Sequence, residues 1–299
     1  MFKGFEKFDI SVNDIIIHGV KGGTGPPILL LHGYPQTHII WHKIAPQLAK
    51  TYTVVATDLR GYGDSSKPFG GNGHINYSFR AMAKDQVTVM NTLGFSSFLL
   101  AGHDRGARTA HRLALDYPEF VQMLILMDII PTLTFYESAN QKMATGYYHW
   151  YFLIQPYDFP EHLIGRDPEY FLKKTLGAWS ANKTFSDDVF KEYLRCFSNP
   201  ETIHASCEDY RAAASTDLDH DLSDQEANNK IQCPTLILWG KKGLIGKSYD
   251  VLETWRNKTD MEPRGQALSC GHFLPEESPD ATLLAMVKFL SSQNSENNF

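Results

Sequence analysis

The sequence predicts an α/β protein: a mostly parallel sheet with helices on both faces and a helical cap inserted into it. Three observations predict this. Short, nearly continuous apolar runs recur along the chain and end in glycine or polar residues. Segments of helical periodicity alternate with them. Between about residues 131 and 221 that alternation lapses into aromatic-rich helical patterning, after which strand character resumes. Near-continuous apolar character, rather than strict alternation, belongs to strands covered on both faces, and strand–helix alternation belongs to doubly wound sheets.

The expected strands are 15–20, 27–31, 52–57, 97–102, 123–127, 234–239 and 266–270, and the helices between them include 79–93 and 107–117. In the cap the expected helices are 136–153, 169–176, 186–197 and 200–214. Residues 1–130 and 222–299 then form one core domain and 131–221 the cap, a division that 299 residues can support. The polar stretch 291–299 is expected to fray.

Composition narrows the function. The apolar share is 42% and the charged share 21%, so an ordinary buried core is expected. A net charge of −6 argues against nucleic acid or anionic membrane as partner, though not against a small anion met by local arginines. The N-terminus lacks an apolar signal region and no run reaches the length of a membrane span, so a cytoplasmic protein is expected. Cys196, Cys207, Cys233 and Cys270 form no C-x-x-C pair and read as free thiols. No H-x-x-x-H pair falls on an expected helix, the Asp217-x-Asp219-x-Asp221 run has Leu222 where a calcium loop needs glycine, and Gly240–Ser248 misses the phosphate-loop spacing. No metal and no cofactor are therefore expected.

The informative segment is Gly102-x-Asp104-x-Gly106, placed between an apolar strand and a helix. This is the context of a nucleophile elbow, whose flanking glycines relieve clashes in a strained turn. Serine usually stands at its centre. A carboxylate there is already ionised at neutral pH and can displace a leaving group from sp³ carbon, forming an alkyl ester. The next strand ends at Asp128, and the last is followed by His272, so nucleophile, acid and histidine come in the α/β-hydrolase order. The loop after Gly240 carries no carboxylate before Asp250, which favours Asp128 as the acid. The Tyr34 and Arg105 backbone N–H groups can form an oxyanion hole.

These residues resemble the fluoroacetate (haloacetate) dehalogenases of the α/β-hydrolase superfamily over nearly the whole chain. The resemblance is carried by His32-Gly33-Tyr34-Pro35-Gln36-Thr37, by Asp58–Ser65, by Gly102-His-Asp-Arg-Gly-Ala-Arg108, by His149-Trp150, and by the stretch Ala214–Asp221. It implies that Arg105 and Arg108 hold a substrate carboxylate, that His149, Trp150 and Tyr210 donate hydrogen bonds to the departing halide, and that Trp179 shapes the pocket. Tyr34 stands where many members have Phe, and the match at Tyr210 rests on a loose alignment of the cap. Similar proteins are often homodimers.

The chemistry justifies the arginines independently. A haloacetate brings a negative charge to an anionic nucleophile, and two unit charges about 4 Å apart repel by roughly 4 kcal/mol at an effective dielectric of 20. That is about a thousandfold in rate. Arg105 and Arg108 are spaced i and i+3 on the helix after Asp104, on one face. The expected reaction is hydrolytic dehalogenation of a small 2-haloacid through an Asp104 ester. The rivals are an epoxide hydrolase with the same nucleophile, which would have no use for a cationic clamp, and a non-catalytic α/β-hydrolase that binds a small acid, against which the complete triad argues.

Overall fold

A computed structural model describes residues 1–182 and 184–292. Its centre is one eight-stranded sheet in the order β1-β2-β4-β3-β5-β6-β7-β8. The strands are β1 Glu6–Val12, β2 Ile15–Gly22, β3 Pro27–Leu31, β4 Thr53–Thr57, β5 Phe98–His103, β6 Val121–Met127, β7 Thr235–Gly240 and β8 Arg264–Leu268. Pairing is antiparallel at β1–β2 and β2–β4 and parallel from β4 to β8.

Alternate residues of each central strand feed opposite cores. Leu29, Leu31, Leu100, Leu124 and Leu126 pack on one face. Ile28, Leu30, Leu99, Ala101, Ile125 and Met127 pack on the other. Covering both faces is what makes these strands read as unbroken apolar runs.

All seven expected strands form, within a few residues of their expected ends. The edge strand β1 was not expected. It alternates exposed and buried residues and joins β2 through a turn at Asn13, whose φ is 54°, so it lacks the continuous apolar signature. The expected helix 136–153 is three: Thr132–Glu137, Gln141–Gly146 and His149–Phe152. Asn140 caps the second by accepting from the Met143 N–H, and Tyr147, with φ −114° and ψ 45°, ends it. Helices Phe159–Arg166, Thr216–Ala227 and Pro279–Ser291 are additional, and the expected boundary at 221/222 falls inside the second of these. Ser291 belongs to the last helix; the tail beyond 292 lies outside the described residues.

Candidate active site

β5 runs straight into Asp104, whose φ of 50° and ψ of −117° turn the chain sharply into the helix Arg105–Asp116. A Cβ on Gly106 would meet the His32 carbonyl, and one on Gly33 would meet the Asp104 side chain. Glycine at both positions lets the elbow seat against the β3 loop. Asp104 is 6% exposed. Its Oδ1 accepts the Tyr34 N–H at 2.9 Å. The Arg105 amide opens the helix, where N–H groups have no intrahelical acceptor.

Asp128 follows β6 with φ 54°. One carboxylate oxygen accepts the Gly240 N–H at 2.8 Å and the other lies 2.6 Å from His272 Nδ1. The opposite nitrogen of His272 is 3.7 Å from Asp104 Oδ2. The structure thus brings Asp104, Asp128 and His272 into one relay at the C-terminal ends of the strands. Burial disfavours an ionised Asp104, yet His272, His103, Arg105 and Arg108 together hold its pKa down at about 2. Burial also opposes a charged His272, but Asp128, with help from Asp104, outweighs it and raises that pKa.

Both arginines are buried rather than solvent-facing. Arg105 gives Nε and Nη2 to the carboxylate of Asp209, and Nη2 also donates to the Asp209 carbonyl at 2.8 Å. Tyr62 donates its hydroxyl to the same carboxylate at 2.5 Å. Among the described residues Arg108 has no carboxylate hydrogen-bond partner: Nη1 donates to the Ile130 carbonyl at 3.0 Å and to Thr132 Oγ1 at 2.9 Å. Burial and the neighbouring Arg105 lower its pKa to about 10, so it stays cationic. Arg105 Nη1 and Arg108 Nε are buried without a hydrogen-bond partner among the described residues.

Above these lies a cap cluster. Arg108 lies 4.5 Å over the Trp150 ring, which meets Tyr210 edge-on at 5.6 Å between ring centres. Arg105 lies 4.2 Å over the Tyr210 ring. His149 sits 4.2 Å from Trp179 and 5.5 Å from Tyr210. His149 Nδ1, Trp150 Nε1, Trp179 Nε1, Tyr210 Oη and Tyr34 Oη are all buried and unpartnered among the described residues. Burial drives the His149 pKa well below its usual value and the Tyr210 pKa well above, so both rings are neutral. Buried polar groups are normally satisfied; a cluster of unpaired N–H and O–H groups fits a ligand that accepts hydrogen bonds.

Sequence reasoning passed over two residues that hold this site. Asp209 fixes Arg105, and its clue was a charged Glu-Asp-Tyr-Arg run in the largely buried C-terminal part of a helix, Pro200–Ala213. His103, neutral because burial drops its pKa to about 3, meets the His272 carbonyl at 2.7 Å and fixes that loop. For a metal, His18, His38 and Asp58 bring donor atoms within 4.8 Å of one another. The Asp58 carboxylate there accepts the His38 and Asp64 amides and faces His38 Nδ1, bonds that tie a turn together.

Residues 26–279 match the family model of the α/β-hydrolase fold. A solved α/β hydrolase from Nostoc sp PCC 7120, itself assigned only provisionally, superposes with a TM-score of 0.95 at 56% identity, covering 98% of this chain and 100% of that one. The chain is an α/β hydrolase. It is 45% identical to a fluoroacetate dehalogenase of Burkholderia sp over 99% of its own length and 97% of the relative's. It thus belongs to the fluoroacetate (haloacetate) dehalogenase family. It is also 32% identical to a soluble epoxide hydrolase of Corynebacterium sp. (strain C12), over 94% of this chain and 95% of that one.

Proposed function

We propose that the protein hydrolyses the carbon–halogen bond of small 2-haloacids, taking fluoroacetate or chloroacetate to glycolate and halide. The observation that carries this reading is the ionised Asp104 carboxylate facing two buried guanidiniums, each with an unpaired N–H. An anionic nucleophile meets an anionic substrate only where fixed positive charge cancels the repulsion.

Asp104 Oδ2 attacks the α-carbon, the carbon–halogen bond breaks, and halide leaves toward the N–H and O–H groups of His149, Trp150 and Tyr210, with Trp179 closing the pocket. Arg105 Nη1 and Arg108 hold the carboxylate and aim the carbon. The glycolyl ester keeps its carbonyl oxygen on the Tyr34 and Arg105 amides. Forming the ester removes the Asp104 charge, one of the carboxylate charges that raise the His272 pKa, so the step that builds the intermediate also frees the base. His272, oriented by Asp128, then takes a proton from water. The hydroxide adds to the Asp104 carbonyl carbon, the ester C–O bond breaks, and the glycolate oxygen recovers the proton. No cofactor enters the cycle.

A second reading, epoxide opening, is favoured by the unpaired Tyr210 hydroxyl, which could protonate an epoxide oxygen, and by the similarity to an epoxide hydrolase. A neutral epoxide leaves Arg108 uncompensated beside it, which favours the haloacid. Location in the cytoplasm, expected from the sequence, and assembly as a homodimer, expected from the resemblance, belong to the same proposal. Halide release from fluoroacetate and chloroacetate, against diol formation from styrene oxide, tests it: the haloacids are turned over by the wild type and not by Asp104→Asn. Epoxide turnover without halide release would replace this reading by the second.

A further inference from the structure

Asp104, both arginines and the proposed halide donors are all buried, so an anion needs a way in. Among the described residues a cavity of about 500 Å³ opens between cap and core with His272 on its floor, flanked by Tyr147 and Trp179. Four other cavities touch none of the proposed site residues. Trp179 belongs to both spaces: its ring is 5.6 Å from that of His272 in the crevice and 4.2 Å from that of His149 in the halide cluster. Tyr147 completes the threshold, 5.9 Å from Trp179 and with its hydroxyl 3.4 Å from His272 Nδ1.

The rim of this crevice is cationic. Lys242 and Lys247 line it, both exposed and without a salt bridge among the described residues. Lys142 joins them by donating to the Lys247 carbonyl at 3.1 Å. Glu277, which accepts the Ala181, Gly271 and Phe273 amides, offsets only one of these three positive charges. The whole chain carries −6 and repels small anions at long range. A local excess of positive charge at this opening counters that.

We infer that this crevice is the port through which the small anionic substrate enters, and that Lys242 and Lys247, with Lys142, steer it to the Trp179–Tyr147 threshold. The inference rests on the haloacid reading for its substrate, but the port can be probed by any small anion. Steering acts on encounter, so it changes kcat/KM and fades as salt screens it.

The test is chloroacetate turnover by wild type and Lys242→Glu/Lys247→Glu over a range of ionic strength. The double variant is expected to lose about tenfold in kcat/KM at roughly 10 mM salt, to keep kcat within about twofold, and to approach the wild type near about 0.5 M salt. Ala178→Trp, at the exposed rim, obstructs the opening and lowers kcat/KM at every salt concentration. A second readout needs no turnover: quenching of tryptophan fluorescence by iodide weakens in the double variant while quenching by neutral acrylamide does not. Unchanged kcat/KM in both variants, or iodide quenching indifferent to the charge reversal, overturns the inference. Absence of halide release by the wild type overturns the haloacid reading instead, and iodide quenching then decides the port alone.

Discussion

Arg105 gives Nε and Nη2 to Asp209 and leaves only Nη1 without a partner, whereas Arg108, one helical turn on, makes no hydrogen bond to a carboxylate among the described residues. The two arginines therefore differ in kind. Arg105 is paired with a carboxylate of its own, and Arg108 has only the field of Asp104 to answer its charge.

Exchanging them should separate stability from binding. Arg105→Met strands Asp209 as a buried unpaired charge and is expected to cost about 3–5 kcal/mol of folding stability, seen as a lower urea midpoint. Arg108→Met strands no carboxylate and is expected to cost about 1 kcal/mol of stability. It should instead raise KM for chloroacetate about 10- to 100-fold, the worth of a charged hydrogen bond. Equal urea midpoints for wild type and Arg105→Met would remove the distinction.

His272→Gln keeps the nucleophile and removes the base. One equivalent of halide per enzyme is expected from chloroacetate, with no further turnover and a covalent glycolyl adduct visible by mass spectrometry on Asp104. Wild-type enzyme given one turnover in ¹⁸O-water carries label first in that side chain. Steady halide release by His272→Gln would falsify the ester route.

The pH dependence follows from the same pair. In the resting enzyme His272 lies between two carboxylates and its pKa is raised; in the ester one of those charges is gone. Decay of the ester, followed by quenched flow, is thus expected to rise with pH through a lower pKa than NMR titration finds for His272 in the free enzyme. Coincident values would contradict the proposed release of the base.

Loss of one halide donor should weigh most on the poorest leaving group. Tyr210→Phe and Trp150→Phe are each expected to slow fluoroacetate turnover on the order of a hundredfold, the scale of losing one aimed donor. The loss with bromoacetate should be smaller. A halide-independent effect in both variants would place these side chains in the cap core rather than at the halide.

Away from the site, burial lifts the Glu276 pKa to about 8 although Tyr193 and Gln36 donate to it. A folded value above the unfolded one of about 4.5 means that its contribution to stability is complete below the lower pH and is lost as pH rises through the higher. Glu276→Gln avoids burying the charge, and the unpartnered Gln36 Oε1 can accept its amide once the Gln36 amide flips. The variant is expected to gain more than about 1 kcal/mol over wild type between pH 5 and 9 in chemical denaturation. An identical pH trend in both proteins would refute it.

Much of this was legible in the order of residues. The parallel strands announced themselves because both faces are covered, and Asp104, Asp128 and His272 because each ends or follows a strand at the same edge. What alternation hid was β1, half exposed at the sheet's margin, and what aromatic density hid was the break of 136–153 into three helices. Glycine at 102 and 106 states locally that the backbone must bend there.

The sequence by itself determined the sheet and the elbow at Asp104, since these depend on periodicity and on the backbone demands of neighbouring residues. Only the tertiary structure decided that Arg105 is claimed by Asp209, 104 residues away, that Arg108 has no carboxylate hydrogen-bond partner among the described residues, and that five cap and loop polar groups are buried without partners there. Burial and charge balance arise between segments remote in the chain, and no local pattern records which partner a buried charge will find.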